Sequence, residues 1–107
     1  LDELRELGGT DDPGLIAELI EIFLIDAPLR LQEISQALDR GDLKIVERAA
    51  HTLKSSSANI GATGLSKLCT EMEQVAREQR LDAIAPLFTR SKEAMREVRT
   101  VLLAIQP

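Results

Sequence analysis

The sequence predicts an all-α protein: an antiparallel up-down-up-down four-helix bundle with a short additional N-terminal helix. Two observations carry this. Every segment of useful length repeats its apolar residues with a period of 3.6, and none alternates as a strand does. The links between these segments are short, so successive helices must return antiparallel. With 107 residues there is chain for one domain, 1–107, around one core. No internal repeat or low-complexity linker divides it.

Leu1–Leu7 places Leu1, Leu4 and Leu7 on one stripe and stops at Gly8-Gly9. Asp12-Pro13 is a helix start, a capping carboxylate followed by proline in the first turn. The helix that follows carries Ile16, Leu19, Ile20, Phe23, Ala27, Leu31, Ile34 and Leu38 as its apolar stripe. Pro28 falls inside it and predicts a kink or local break near Asp26-Ala27. Arg40-Gly41 ends it. Asp42 caps a second long helix that runs to about Gly61. Thr63 reads as the cap of a third, with Leu65, Leu68, Met72 and Val75 or Ala76 inward. Arg80–Pro86 reads as a connection, because proline suits a first turn. The last helix holds Ile84, Leu87, Phe88, Ser91, Met95, Val98, Leu102 and Ile105 in register.

Phe23 and Phe88 are the only aromatic residues, so the core must be aliphatic. The net charge of −5 argues against nucleic acid, which calls for clustered cations and stacking aromatics. Cys69 is the single cysteine; it excludes an internal disulfide and offers nothing toward a zinc cluster. Leu19–Ile25 is too short to span a bilayer, and no direct membrane contact is expected. A reducing cytoplasmic setting and a monomeric isolated domain fit these features. The chain begins with Leu. That start suggests a domain from a larger protein, with inner-membrane anchoring of the parent left open. No glycine-rich phosphate loop is present, so no ATP site is expected.

His51 is the only histidine. At about 100° per residue, Leu43, Val46, Ala50, Leu53, Ser57 and Ile60 share one sector of the second helix, centred roughly 130° from the imidazole. The sector around His51 instead holds Glu47, Lys44, Arg48, Lys54, Ser55 and Ala58. The imidazole therefore sits mid-helix on the wet face among cations and small residues. Histidine is a capable covalent nucleophile whose neutral form is plentiful at cellular pH.

The run His51-Thr52-Leu53-Lys54, then Ser55-Ser56-Ser57, then Ala58-Asn59-Ile60-Gly61-Ala62, resembles the signature of histidine-containing phosphotransfer (HPt) domains, roughly H-x-L-K-G-[SA]-[SA]-x-x-[LIV]-G-A. Phe23-Leu24-x-Asp26-Ala27-Pro28 upstream and Leu65-x-x-Leu68-Cys69-x-x-Met72-Glu73 downstream also resemble the family, so the likeness covers nearly the whole chain. Ser55 departs from it, standing where the family usually has glycine.

The resemblance implies a phosphorelay intermediate without its own ATP site. His51 would accept a phosphoryl group from a receiver-domain aspartyl phosphate and pass it to the aspartate of another receiver. It implies no cofactor on this domain, Mg²⁺ on the partner receiver, and a hybrid sensor histidine kinase as the parent protein. It places Lys54 against the phosphoryl group, Glu73 as the acceptor that orients the imidazole, and Arg77 near the phosphate. Ser55 would narrow the partner's access to His51, and Ala58 lies on the same face. Lys44 and Arg48 are candidates for electrostatic docking; Leu4, Leu7, Ile22 and Ile25 are candidates for apolar docking. The alternative is an HPt-like docking module that binds a regulator or enzyme without being phosphorylated.

Overall fold

The structure, a computed structural model, describes residues 13–105. The expected Leu1–Leu7 helix, with Leu4 and Leu7, lies outside the described residues. Four helices follow in order: α1 (Pro13–Arg40), α2 (Leu43–Asn59), α3 (Thr63–Arg77) and α4 (Leu81–Ile105). No strand occurs among the described residues. Each helix packs on the next, and α1 touches α4 only lightly, which is the expected bundle. At 1.5 Å per residue α1 spans roughly 42 Å, and it accounts for the long dimension of a 43 × 20 × 18 Å body.

All three links are built alike. The N–H groups of Gly41 and Asp42 reach back to the carbonyls of Leu38 and Ala37, at 3.1 and 2.8 Å. Gly61 and Ala62 do the same to Ala58 and Ser57, and Gln79 and Arg80 to Ala76 and Val75. This is the Schellman closure, which satisfies otherwise orphaned carbonyls and turns the chain sharply. It needs a left-handed residue at its centre. Gly41 (φ +68°) and Gly61 (φ +80°) meet that need without steric cost, whereas Gln79 (φ +59°) does so with a side chain. The link after α3 is therefore invisible to a search for glycine. It places the start of α4 at Leu81, inside the stretch expected to be a connection. Pro86 sits six residues into α4 and forgoes one backbone hydrogen bond there.

Other local expectations divide in the same way. Asp42 caps α2, its Oδ1 accepting from the Ile45 N–H at 3.3 Å. Thr63 does not cap α3: the closure after α2 extends through Ala62, which takes the capping position without a side-chain bond. α1 continues as one helix through Pro28, without the local break. Ala27 and Leu31, on either side of the proline, are both buried and hold that stretch on the core.

The core comprises Ile20, Phe23, Ile34, Val46, Leu53, Leu65, Met72, Ile84, Val98 and Leu102 with smaller residues between them. Leu19, expected in the stripe, is 42% exposed, because it lies at the open edge between α1 and α2 rather than beneath it. Leu68 is only half-buried, and Cys69 takes the core position beside it. Burial pushes the Cys69 thiol up to about 12.

Two stability measurements test this account. Leu53 is fully buried, and Leu53→Ala should cost about 2–5 kcal/mol in urea unfolding; Ile25→Ala, at an exposed site, should stay within about 0.5 kcal/mol. Gln79→Gly should stabilise the domain by roughly 0.5–1 kcal/mol by relieving the left-handed strain; an unchanged or lower midpoint would show that the glutamine side chain compensates.

Candidate functional site

The site is a seam between α2 and α3. The two backbones run close: Ser66 on α3 donates its hydroxyl directly to the carbonyl of Lys54 on α2, at 3.1 Å. A side chain one atom beyond Cβ spans the gap. His51 lies mid-way along α2, its side chain 59% exposed. Opposite it, α3 presents Glu73 and, one turn later, Arg77.

Glu73 is the centre of the arrangement. It is among the few polar residues buried in the bundle, with its side chain 10% exposed. Its Oε2 lies 2.8 Å from Nδ1 of His51 and accepts from Nη2 of Arg77 at 3.3 Å. Its Oε1 accepts from Nζ of Lys54 at 2.9 Å. Burial pushes the carboxyl up, but the hydrogen bonds and charges of Lys54 and His51 outweigh it and hold the group below the ordinary carboxylate value. Glu73 is thus ionised at neutral pH and can only accept. Nδ1 of His51 must then carry the proton, which leaves the lone pair on Nε2, directed away from Glu73. The site holds one tautomer of one histidine, with the nucleophilic nitrogen outward.

The structure brings His51, Lys54, Glu73 and Arg77 together. Lys44 and Arg48 line an open depression of about 260 Å³ with Glu47, His51 and Glu73. Ser55 is exposed, and its hydroxyl donates to the His51 carbonyl at 3.3 Å. Ala58 is exposed farther along α2. Ile22 and Ile25 are 55% and 63% exposed on α1. Near them, Leu19, Ile22, Phe23 and Asp26 of α1 meet Ser56, Asn59 and Ile60 of α2 around a small groove of about 130 Å³. Sequence reasoning gave no role to Glu47, which accepts from Nε of Arg77 at 3.1 Å. Its signal was its place one helical turn before His51 on the same face. Among the described residues, no group of three or more His, Cys, Asp and Glu could hold a metal ion. No helix among them is long and apolar enough to cross a membrane.

Glu73 also makes stability depend on pH. Its folded value lies below the ordinary 4.5, so its contribution is complete above that value and is lost as pH falls through the folded one. Native protein unfolded in urea over a series of acidic pH values should weaken below about 4.5. Glu73→Gln should be less stable at neutral pH by about 1–3 kcal/mol and lack that part of the acid slope. Parallel slopes for the two proteins would refute the assignment.

Comparison with known proteins bears on what this seam is for. The Hpt domain family matches residues 18–101. Histidine-containing phosphotransfer protein 4 of Arabidopsis thaliana is 28% identical over 102 residues, 94% of this chain and 80% of that protein. Sensor protein TorS of Escherichia coli (strain K12) is 38% identical over 74 residues, 69% of this chain but 8% of that protein. The chain spans 54% and 55% of the length of two further plant phosphotransfer proteins that it matches. Among solved structures, histidine-containing phosphotransfer protein B (HptB) from Pseudomonas aeruginosa PAO1 superposes with a TM-score of 0.87 at 27% identity, covering 96% of this chain and 89% of that one. With the family matched along most of its length and its bundle shared with a solved phosphotransfer protein, the chain belongs to the Hpt domain family.

Proposed function

We propose that this domain carries a phosphoryl group on Nε2 of His51, taking it from an aspartyl phosphate on one receiver domain and giving it to an aspartate on another. That the domain is a phosphorelay intermediate follows from its family; the choice of atom rests on the contact between Nδ1 and Glu73. In the forward step the Nε2 lone pair attacks phosphorus and the P–N bond forms. The P–O bond to the donor aspartate breaks, and its electron pair leaves with the carboxylate. No proton need move, because Nδ1 keeps its hydrogen. The positive charge that develops on the ring is balanced by Glu73 across 2.8 Å. The return step reverses this, with the charged ring as a good leaving group.

Phosphoryl transfer depends chiefly on positioning and charge stabilisation. Lys54 holds Glu73 at rest and lies three residues from His51, within reach of a phosphoryl oxygen. Such a charge-assisted bond is worth roughly 1.5–3 kcal/mol when sheltered. Mg²⁺ belongs to the receiver in this scheme, and no cofactor is assigned to this domain. Lys44 and Arg48 give the depression a positive wall toward an acidic receiver site. The exposed Ile22 and Ile25 beside the α1–α2 groove offer apolar contact for a small, transient interface. We assign the isolated domain as a monomer acting in the cytoplasm, within or alongside a larger signalling protein.

Phosphoryl labelling decides this. Incubated with phosphorylated receiver domains and Mg²⁺, the native domain should take label that survives base and is lost in acid, and His51→Gln should take none. Binding without label would make it a docking module. Ser55→Gly should leave transfer equal or faster, since it opens space beside the imidazole; a large fall in rate would show that the serine assists.

A further inference from the structure

We propose that Glu47 keeps the phosphoryl group transferable by competing with it for Arg77, so that Glu47 is a positioning residue that acts through the guanidinium. This rests on His51 being the carrier. Glu47 and His51 are one helical turn apart on one face of α2, where side chains four residues apart are neighbours, and both line the same depression. Arg77 crosses from α3 and lies between two carboxylates, giving Nε to Glu47 at 3.1 Å and Nη2 to Glu73 at 3.3 Å. The two carboxylates differ. Glu73 is buried and also held by Lys54 and His51. Glu47 is 24% exposed, and Arg77, 56% exposed, is the one ion-pair partner described for it.

A phosphoryl group on Nε2 brings a charge of about −1.5 to −2 into this depression. Arginine prefers phosphate oxygens, which accept its donors in pairs. When Arg77 turns to the phosphoryl group, Glu47 loses its partner beside a dianion. The cost falls on the phosphorylated state alone. Arg77 thus stabilises the phosphoryl group, and Glu47 limits by how much. A carrier needs that limit, because a phosphohistidine held too firmly would not pass its phosphoryl group on.

The test uses the whole chain, charged chemically with phosphoramidate and then mixed with a receiver domain that labels it. The partition of label is measured at equilibrium from both directions. Glu47→Gln should shift the partition toward the phosphorylated domain by roughly three- to tenfold, the scale of one charge interaction at this range. Glu47→Asp, which retains the charge, should return most of the way. In an Arg77→Met background, Glu47→Gln should shift the partition less than about twofold, since double-mutant coupling reports action through the partner. Thermal melting confirms that each variant is folded, and Glu47→Ala replaces any that is not. An unchanged partition in Glu47→Gln, or a shift the other way, would overturn the proposal. So would a full shift in the Arg77→Met background, which would mean direct repulsion. If phosphoramidate fails to label native His51, the carrier reading itself falls, a result distinct from any of these.

Discussion

One buried carboxylate organises this domain. Glu73 accepts from an imidazole, an ammonium and a guanidinium, and these three side chains come from two helices. A buried charge is tolerated only when its oxygens are occupied. Here the same bonds that satisfy it also fix the tautomer of His51, hold Lys54 beside the imidazole and draw Arg77 to the rim. Stability and chemistry thus share a single constraint: α2 and α3 must stay in register.

The rest of the fold serves that register. Three Schellman closures keep each link short, so successive helices return directly against one another. The bond from Ser66 to the Lys54 carbonyl fixes how closely α2 and α3 approach. The aliphatic core fixes rotation: Val46, Ala50 and Leu53 point α2 inward, and His51 then has only the outer face available. α1 contributes differently. It packs on α2 but leaves Ile22 and Ile25 exposed, so apolar surface remains on α1 without disturbing the seam.

The sequence made the helices and the histidine legible because both depend on local periodicity. Asp42, Gly41 and Gly61 announce helix ends through side-chain chemistry or its absence. Gln79 does not, since its left-handed backbone is imposed by the chain on either side, and the start of α4 was misplaced as a result. Leu19 is exposed and Leu68 is half-buried beside the buried Cys69, because burial depends on which neighbours a face meets. A helical wheel gives phases within one helix only. That limit also explains the site. His51 and Lys54 share a helix and were readable from it. Glu73 and Arg77 required family resemblance to be matched with them. Glu47 had no assigned role because its partner lies thirty residues away, on another helix.

Cys69 has a consequence of its own. Thiol chemistry begins with the thiolate, and this thiol is fully buried and raised to about 12. It is shielded from peroxide and from disulfide exchange by the same packing that holds α3 in place. The chain's single cysteine is therefore a packing residue rather than a redox site. The nucleophile that the seam exposes is instead a nitrogen, on His51, so the chemistry of thiol oxidation and the chemistry of the site fall on different atoms.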